Sequence, residues 1–419
     1  MKRPTIAILH YSAPPVVGGV EAVIQAHAQT FMRAGYPVTV VAGRGEGTAL
    51  PAGAKLVLIP RIDSRYPDVT RMSTVLEQGQ VPQNFDSLTR RLMDALAPVL
   101  KEFDNVIVHN VFSKHFNLPL TFALHLLLQQ GVLGNCIAWC HDLSWTSPSS
   151  RSKVHPGHPW DLLRMRRPDV KYVTVSQHRQ RELAALFDCP LEQIHVAHDG
   201  VDPSGLLGLS VEGEALLKRL GLLESDLILL MPVRVTQAKN IEYALHVVAA
   251  LKARDCRAKL ILTGPPDPHD AQSMSYFQEL RALRAQLGVE DEMRFVFESG
   301  PEPEQPHIIP DQVVADLFRV SDVMFMPSHR EGFGMPVLEA GLLGVPVVCT
   351  HVPAAEEIGG PDVTVFDASQ EPAQTAAQIL AWAEKNPQHH LRRRVRQGYT
   401  WDTIFEHTIR PLLNGHGGR

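Results

Sequence analysis

The densest concentration of chemistry in this chain lies between Pro327 and Glu339, which read Pro-Ser-His-Arg-Glu-Gly-Phe-Gly-Met-Pro-Val-Leu-Glu. Two carboxylates, Glu331 and Glu339, bracket Gly332 and Gly334, whose amides no side chain shields. Carboxylates accept hydrogen bonds from sugar hydroxyls, while bare amides and a helix N-terminus face phosphate. Such a set suits a polyhydroxylated ligand that carries phosphate. Apolar residues 323–327 lead in and read as a buried strand of a parallel sheet. Pro336 suits the first turn of a helix, so Glu331 is expected on the loop and Glu339 in that first turn.

A second set is basic. Arg234 and Lys239 follow the apolar run 227–232 and precede a helix expected over 241–251. Positive charge at a strand-to-helix turn neutralises a diphosphate, although two basic residues five apart also occur as plain surface. Gly18, Gly19 and Glu21 open the first helix after the first strand. Glycines there let amides approach an anion, and an ordinary tight turn uses the same residues. The Gly-x-Gly-x-x-Gly spacing of a dinucleotide site is absent.

His141 ends the apolar stretch 137–139, and parallel sheets gather ligands at the C-terminal ends of their strands. The chain has 20 histidines, so most must be structural; His141 stands out by position. His109 and Asn110, followed by Lys114 and His115, end another strand and are candidates for a polar ligand pocket. Thr263 and Gly264 end a further one. Asp267 and Asp270 nearby raise the question of a metal, but no Asp-x-Asp stands at a strand end. Cys140 beside His141 reads as a strand end, and no metal site is expected.

In their order along the chain these residues resemble the retaining glycosyltransferases of the GT-B fold, family 4 (glycosyl transferases group 1). Glu331 and Glu339 around Gly-Phe-Gly-Met-Pro look like that family's Glu-x7-Glu signature. Arg234 with Lys239 and Asn240 is similar to its diphosphate-binding segment, and Gly18-Gly19-Val20-Glu21 to its Gly-Gly-hydrophobic-Glu element. His141-Asp142 is similar to its His-Asp pair. Asp199-Gly200-Val201-Asp202 departs from the Asn-Gly-Val-Asp often found there.

The resemblance implies an α/β chain of two Rossmann-like doubly wound domains facing a cleft, with a C-terminal helix crossing back to the N-terminal domain. It implies catalytic roles for His141, Arg234, Lys239 and Glu331. Donor contacts would come from Gly18, Gly19, Gly264, Phe333, Gly334, Met335, Pro336, Val337 and Glu339, with Glu331 orienting the hexose and Glu339 holding the ribose. Glu21, His109, Asn110 and Lys114 would face the acceptor. The implied reaction moves a hexosyl group, mannose or glucose, from a nucleotide-diphosphate sugar such as GDP-mannose or UDP-glucose to a hydroxyl. The acceptor would be a small soluble molecule or a glycan, and no metal or other cofactor would be required. A nucleotide-sugar epimerase, a sugar phosphorylase or a non-catalytic subunit of a glycan-assembly complex would share the scaffold. Intact Arg234, Lys239, Glu331 and Glu339 argue against the last.

Size and pattern supply what must position these groups. At 419 residues the chain exceeds one hydrophobic core, so two domains are expected, 1–205 and 225–395, with a final helix over 399–414; the resemblance implies that the first serves the acceptor and the second the donor. Strand-like runs at 5–9, 38–41, 56–59, 106–108, 137–139, 172–175 and 195–197 alternate with amphipathic stretches. After a break at 203–223, with the two domains joined near 205–225, a second series runs through 227–232, 259–263, 294–297, 323–326 and 345–349. Segments 62–90 and 298–312 are expected as loops or insertions.

A net charge of -5 gives no global drive toward nucleic acid. The five cysteines show no Cys-x-x-Cys pair, which points to a reducing compartment and a cytoplasmic location. The apolar residues 6–9 are too few for a signal peptide, and 124–128 fall far short of the ~20 a membrane span needs. Peripheral membrane contact stays open. Arg151, Lys153, Arg164, Arg166, Arg167 and Lys171 form a basic cluster that reads as a solvated face, as the border of a site for an anionic acceptor, or as a docking patch for an anionic membrane, of which the soluble acceptor is favoured over the membrane.

Overall fold

Short apolar runs alternate with amphipathic stretches throughout the chain, and each run becomes a parallel strand. The structure, a computed structural model, describes residues 3–267, 272–302 and 305–413; Asp270 and residue 414 of the expected final helix lie outside them. The first sheet holds β1 (Ile6–His10), β2 (Val38–Ala42), β3 (Lys55–Leu58), β4 (Asn105–His109), β5 (Asn135–Cys140), β6 (Val170–Thr174) and β7 (Ile194–Val196). Their order is β3-β2-β1-β4-β5-β6-β7, with every pairing parallel. The second sheet holds β8 (Leu227–Met231), β9 (Ala258–Leu262), β10 (Met293–Phe295), β11 (Val323–Met326), β12 (Val347–Thr350) and β13 (Thr364–Phe366). It runs β10-β9-β8-β11-β12-β13, again all parallel.

Both sheets are doubly wound, and burial on two faces explains why their central strands carry no polar alternation. In β1, Ala7 and Leu9 face one apolar layer while Ile6 and Ile8 face the other. In β8, Leu227, Leu229 and Met231 face one layer and Ile228 and Leu230 the opposite one. Strand order reverses between β1 and β4 in the first sheet and between β8 and β11 in the second. At such a switch point the loops leaving neighbouring strands diverge and open a crevice.

The chain divides into two compact units, residues 1–200 with 401–419, and residues 201–400. The last helical stretch, Trp401–Ile404, a π-turn at Phe405–Ile409 and Arg410–Leu413, belongs to the first unit. It places Ile404, Phe405, Ile409, Leu412 and Leu413 in the apolar layer of Ile6, Ile8 and Phe31, so the C-terminal helix does cross back.

Three expectations need correction. Residues 203–223 are no break: helices Pro203–Leu207 and Val211–Leu220 occupy them, and the chain changes units at 200–201 rather than near 205–225. Segment 62–90 contains helix Pro67–Leu76 and the start of helix Phe85–Leu100, whose Val69, Met72, Leu76, Phe85 and Leu88 join the core. Strand β13 was not expected, because three residues with Thr364 exposed at a sheet edge leave almost no pattern. Within 298–312, residues 299–302 and 305–310 carry neither helix nor strand. Among the described residues no helix is long and apolar enough to cross a membrane.

Candidate active site

In unit 201–400 the loops after β8, β9 and β11 meet around the switch point. Backbone bonds lace the first two: Gly264 N–H donates to Val233 O at 3.0 Å and Val235 N–H to Pro265 O at 3.0 Å. A Cβ on Gly264 would stand 2.5 Å from Val233 O and 2.8 Å from Arg234 Cα, so only glycine fits this crossing. Arg234 projects from the seam with its side chain 56% exposed, held by Asp267 at 3.1 Å. Asp267, which raised the question of a metal, is thus an arginine partner.

Lys239 closes a single 3-10 turn, Gln237–Lys239, and Asn240 takes a left-handed conformation before helix Ile241–Lys252. The N–H of His329 donates to Ala238 O at 2.9 Å and ties this turn to the loop after β11. Lys239 Nζ lies 2.8 and 2.7 Å from the two carboxylate oxygens of Glu331. Ser328 Oγ donates to the same carboxylate at 2.5 Å, and Thr350 Oγ1 on β12 donates to Ser328 O at 2.5 Å. Glu331 is therefore a buried carboxylate fixed from two strands. Ser328 and Thr350 were not anticipated; the only signal was a hydroxyl three residues ahead of Glu331.

Helix Met335–Leu343 starts from Gly334, whose φ of 81° demands glycine, and no side chain caps it. Phe333 and Met335 are exposed beside it. Two expectations change here. Glu339 is the fifth helical residue rather than a first-turn residue, and it stands exposed with no partner among the described residues. Val337 is core, 4% exposed, with its N–H bonded to Gly334 O at 2.9 Å, so it cannot offer a side chain to a donor.

In the other unit, helix Gly19–Arg33 begins at Gly18, also without a side-chain cap. Glu21 folds back over Gly18, where any Cβ would collide with its carboxylate. Its Oε1 accepts from Ser12 Oγ at 2.5 Å and lies 4.0 Å from His10 Nε2. Asn110, just past β4, adopts φ 61°, which asparagine tolerates, and its Oδ1 accepts from the N–H of His141 at 2.9 Å and of Asp142 at 3.3 Å. The loops after β4 and β5 are thereby locked together, with His141 9% exposed.

His109 is corrected most. Expected in the acceptor pocket, it is fully buried, and its Nδ1 meets His141 Nε2 at 3.0 Å. Lys114 is also largely buried, 3.2 Å from Ser150 Oγ and 4.8 Å from the Phe116 ring centre. Burial draws the Lys114 pKa below its ordinary value. Burial, then the charge of His10, lowers His141 to about 3, and burial, then His141, lowers His27 to about 3. His109 is pushed down for the same reasons, burial first. All three imidazoles are neutral at neutral pH.

The basic cluster proves mostly neutralised. Arg164 pairs with Asp161 at 2.8 Å and lies over Trp145, Arg167 pairs with Asp169 at 2.6 Å, and Lys153 pairs with Glu77 at 3.1 Å. Lys171 Nζ donates to Leu412 O at 2.8 Å in the C-terminal helix. The expected free anionic-acceptor border is largely a set of structural pairs. Ser176 likewise caps helix Gln177–Phe187, accepting from Arg179 N–H at 3.2 Å.

Comparison with known proteins finds a glycosyltransferase match in each half of the chain. Residues 17–204 match Glycosyltransferase Family 4, and residues 214–400 match Glycosyl transferases group 1. An uncharacterized glycosyltransferase of Methanocaldococcus jannaschii is 27% identical over 246 residues, covering 57% of this chain and 58% of that protein. A D-inositol 3-phosphate glycosyltransferase of Streptomyces griseus is 31% identical over 200 residues, covering 44% and 39%. The chain spans about half the length of the curated relatives it matches. Among solved structures, sucrose-phosphate synthase from Thermosynechococcus elongatus is 15% identical, covers 99% of this chain and 100% of that one, and has a TM-score of 0.39. Each half of the chain is thus similar to glycosyltransferases, of family 4 in the first half and group 1 in the second, and each half carries a doubly wound parallel sheet.

Proposed function

We propose that the protein is a retaining hexosyltransferase that takes mannose or glucose from a nucleotide-diphosphate sugar and transfers it to a hydroxyl of a small soluble or glycan acceptor. The observation that carries this reading is the Lys239–Glu331 pair, on loops leaving β8 and β11 at a switch point, with Arg234 on the same β8 loop as Lys239. Arg234 and Lys239 serve the diphosphate, and their interaction strengthens as negative charge builds on the leaving oxygen, which lowers the barrier. Glu331 accepts from hexose hydroxyls, and Glu339, exposed and without a partner among the described residues, accepts from the ribose. The uncapped helix start at Gly334 adds amide dipoles toward phosphate.

Unit 201–400 is the donor domain in this reading, and the unit built on residues 1–200 supplies the acceptor side and His141. The bond from the anomeric carbon to the diphosphate oxygen breaks, and a bond to the acceptor oxygen forms on the same face. The acceptor proton passes to the leaving phosphate oxygen, so no protein carboxylate need become glycosylated. Arginine and lysine carry the charge that a divalent cation would otherwise neutralise, and the reaction needs no added cofactor. We assign the enzyme to the cytoplasm, where nucleotide sugars are made.

Thermal unfolding with GDP, UDP and ADP selects the base, since a ligand that binds the folded state raises its stability by mass action. The selected sugar nucleotide is then incubated with simple glycosides and with inositol phosphate, in EDTA and in magnesium, and nucleoside diphosphate release is followed. Acceptor-dependent release in EDTA, with an α product from an α donor by NMR, is expected. No release with any donor overturns the transferase reading, release only with metal overturns the cofactor assignment, and an inverted product overturns retention.

A further inference from the structure

We propose that His109 is a positioning residue that holds His141 in one neutral tautomer, with Nδ1–H as the free donor of the His141 ring. The proposal rests on the reading of His141 as a catalytic residue of the proposed transferase. It deepens that reading by naming what orients the ring.

The two imidazoles lie nearly parallel, 24° apart with centres 5.3 Å apart, and His109 Nδ1 faces His141 Nε2 at 3.0 Å. One proton must sit between two such nitrogens. Were it on His141, a neutral His109 would carry its own proton on Nε2. That atom is buried with no hydrogen-bond partner among the described residues, and the ring nitrogens of His27 and Trp139, packed beside it, make no hydrogen bond to it. An orphaned buried N–H is costlier than an unfilled lone pair. The proton therefore belongs on His109 Nδ1 and is donated to His141 Nε2, which leaves His141 protonated on Nδ1.

The surroundings keep the pair neutral. His10 on β1 meets His109 O with its Nδ1 at 2.9 Å, and His27 and Glu21 face the group from helix Gly19–Arg33. Trp139 on β5 closes the remaining side. A second proton on either ring would add a cation to a packed, largely dry cluster. His141 is also held from the backbone, because Asn110 Oδ1 accepts its N–H at 2.9 Å. Ring and main chain are thus fixed by the last residue of β4 and the residue after it, and what His141 offers a sugar hydroxyl is a hydrogen bond, without proton transfer.

The first test needs no variant. In protein labelled with nitrogen-15 histidine, long-range proton–nitrogen correlation distinguishes the tautomers, and His141 is assigned by the signals missing from His141→Gln. A neutral His141 protonated on Nδ1 from pH 8 to 5.5 is expected; protonation on Nε2, or a charged ring in that range, overturns the proposal. Two variants then test function. His109→Asn keeps an N–H near the Nδ1 position, whereas His109→Phe keeps a stacked ring without a donor. The Phe variant should lose about tenfold or more in kcat, with donor KM nearly unchanged, and the Asn variant should recover to within about threefold. Equal turnover for wild type and His109→Phe overturns the positioning role. Should His109→Phe fail to fold, the wild-type tautomer decides. Should wild type transfer no sugar from any donor, the transferase reading fails while the tautomer measurement stands on its own.

Discussion

Lys239 and Glu331 neutralise each other within unit 201–400, with the ammonium 2.8 and 2.7 Å from the two carboxylate oxygens and the Glu331 side chain only 6% exposed. The two residues were expected to serve different parts of a donor, diphosphate and hexose. Their contact means that each also keeps the other's charge partnered when no ligand is bound. Replacing Lys239 by methionine leaves a buried carboxylate with only the Ser328 hydroxyl, and should cost about 1–3 kcal/mol of stability. The double variant Lys239→Met/Glu331→Gln should recover most of that loss, read by urea unfolding. Losses that simply add would show that the pair is not coupled.

Arg234 gives the opposite balance. Its side chain is more than half exposed, and its pair with Asp267 at 3.1 Å is worth at most about 1 kcal/mol to folding. Arg234→Ala should therefore unfold within a few degrees of wild type, yet lose on the order of 100-fold in turnover, because a charged donor to the leaving diphosphate is gone. A two- or threefold loss would place Arg234 outside the reaction.

Glu339 and Glu331 should fail differently. Glu339→Ala removes an exposed carboxylate without a partner among the described residues, so stability should hold while nucleoside diphosphate affinity falls about tenfold, as a charged hydrogen bond is lost. Glu331→Gln should lower turnover more than affinity. Titration calorimetry with the nucleoside diphosphate separates the two, and unchanged affinity for Glu339→Ala removes the ribose assignment.

The strands were legible because both faces of each central strand are buried, which turns them into short continuous apolar runs; β8, Leu-Ile-Leu-Leu-Met, is an example. The site loops were legible because glycine, proline and charged residues interrupt those runs. Burial of the site residues was not. Nothing in the letters around His109 separates a strand-end ligand from a core imidazole, and its partner His141 lies 32 positions away. The helix over Pro67–Leu76 was legible and was missed: its buried residues Val69, Met72 and Leu76 recur at the i, i+3, i+7 spacing of an amphipathic helix, with Asp68, Thr70, Arg71, Ser73 and Thr74 between them. Pairing hid the basic cluster, since Lys153 meets Glu77 across 76 positions.

Two glycines separate space from function. Gly264→Ala drives a methyl to 2.5 Å from Val233 O, backbone that cannot yield cheaply, and should cost about 1–3 kcal/mol and displace Arg234. Gly19→Ala meets nothing within 4 Å and sits in the first turn of a helix, so folding should be unchanged or slightly improved. If the amides there approach a phosphate, Gly19→Ala will still weaken donor binding. Full donor affinity with full stability would make the Gly18-Gly19 pair an ordinary turn.

The last prediction concerns acid. His27 and His141 are held near pKa 3 in the folded unit, His109 is also lowered, and each returns toward 6.5 when unfolded; burial is the largest cause throughout. A base with a depressed folded pKa binds fewer protons folded than unfolded between the two values. Above pH 6.5 both states are neutral and the groups make no difference. As pH falls below 6.5 the unfolded chain takes up protons the folded unit refuses, and stability drops until the folded pKa is reached. Each such histidine contributes a slope approaching about 1.4 kcal/mol per pH unit within that window. Urea unfolding of the unit built on residues 1–200, followed through Trp139 fluorescence, should therefore weaken from pH 7 to 5, ahead of the range where carboxylates titrate. His27→Leu, which removes a fully buried ring whose nitrogens have no hydrogen-bond partner, should flatten that slope. A stability independent of pH between 7 and 5 would mean that these imidazoles gain protons in place, and the neutral His109–His141 pair would fall with it.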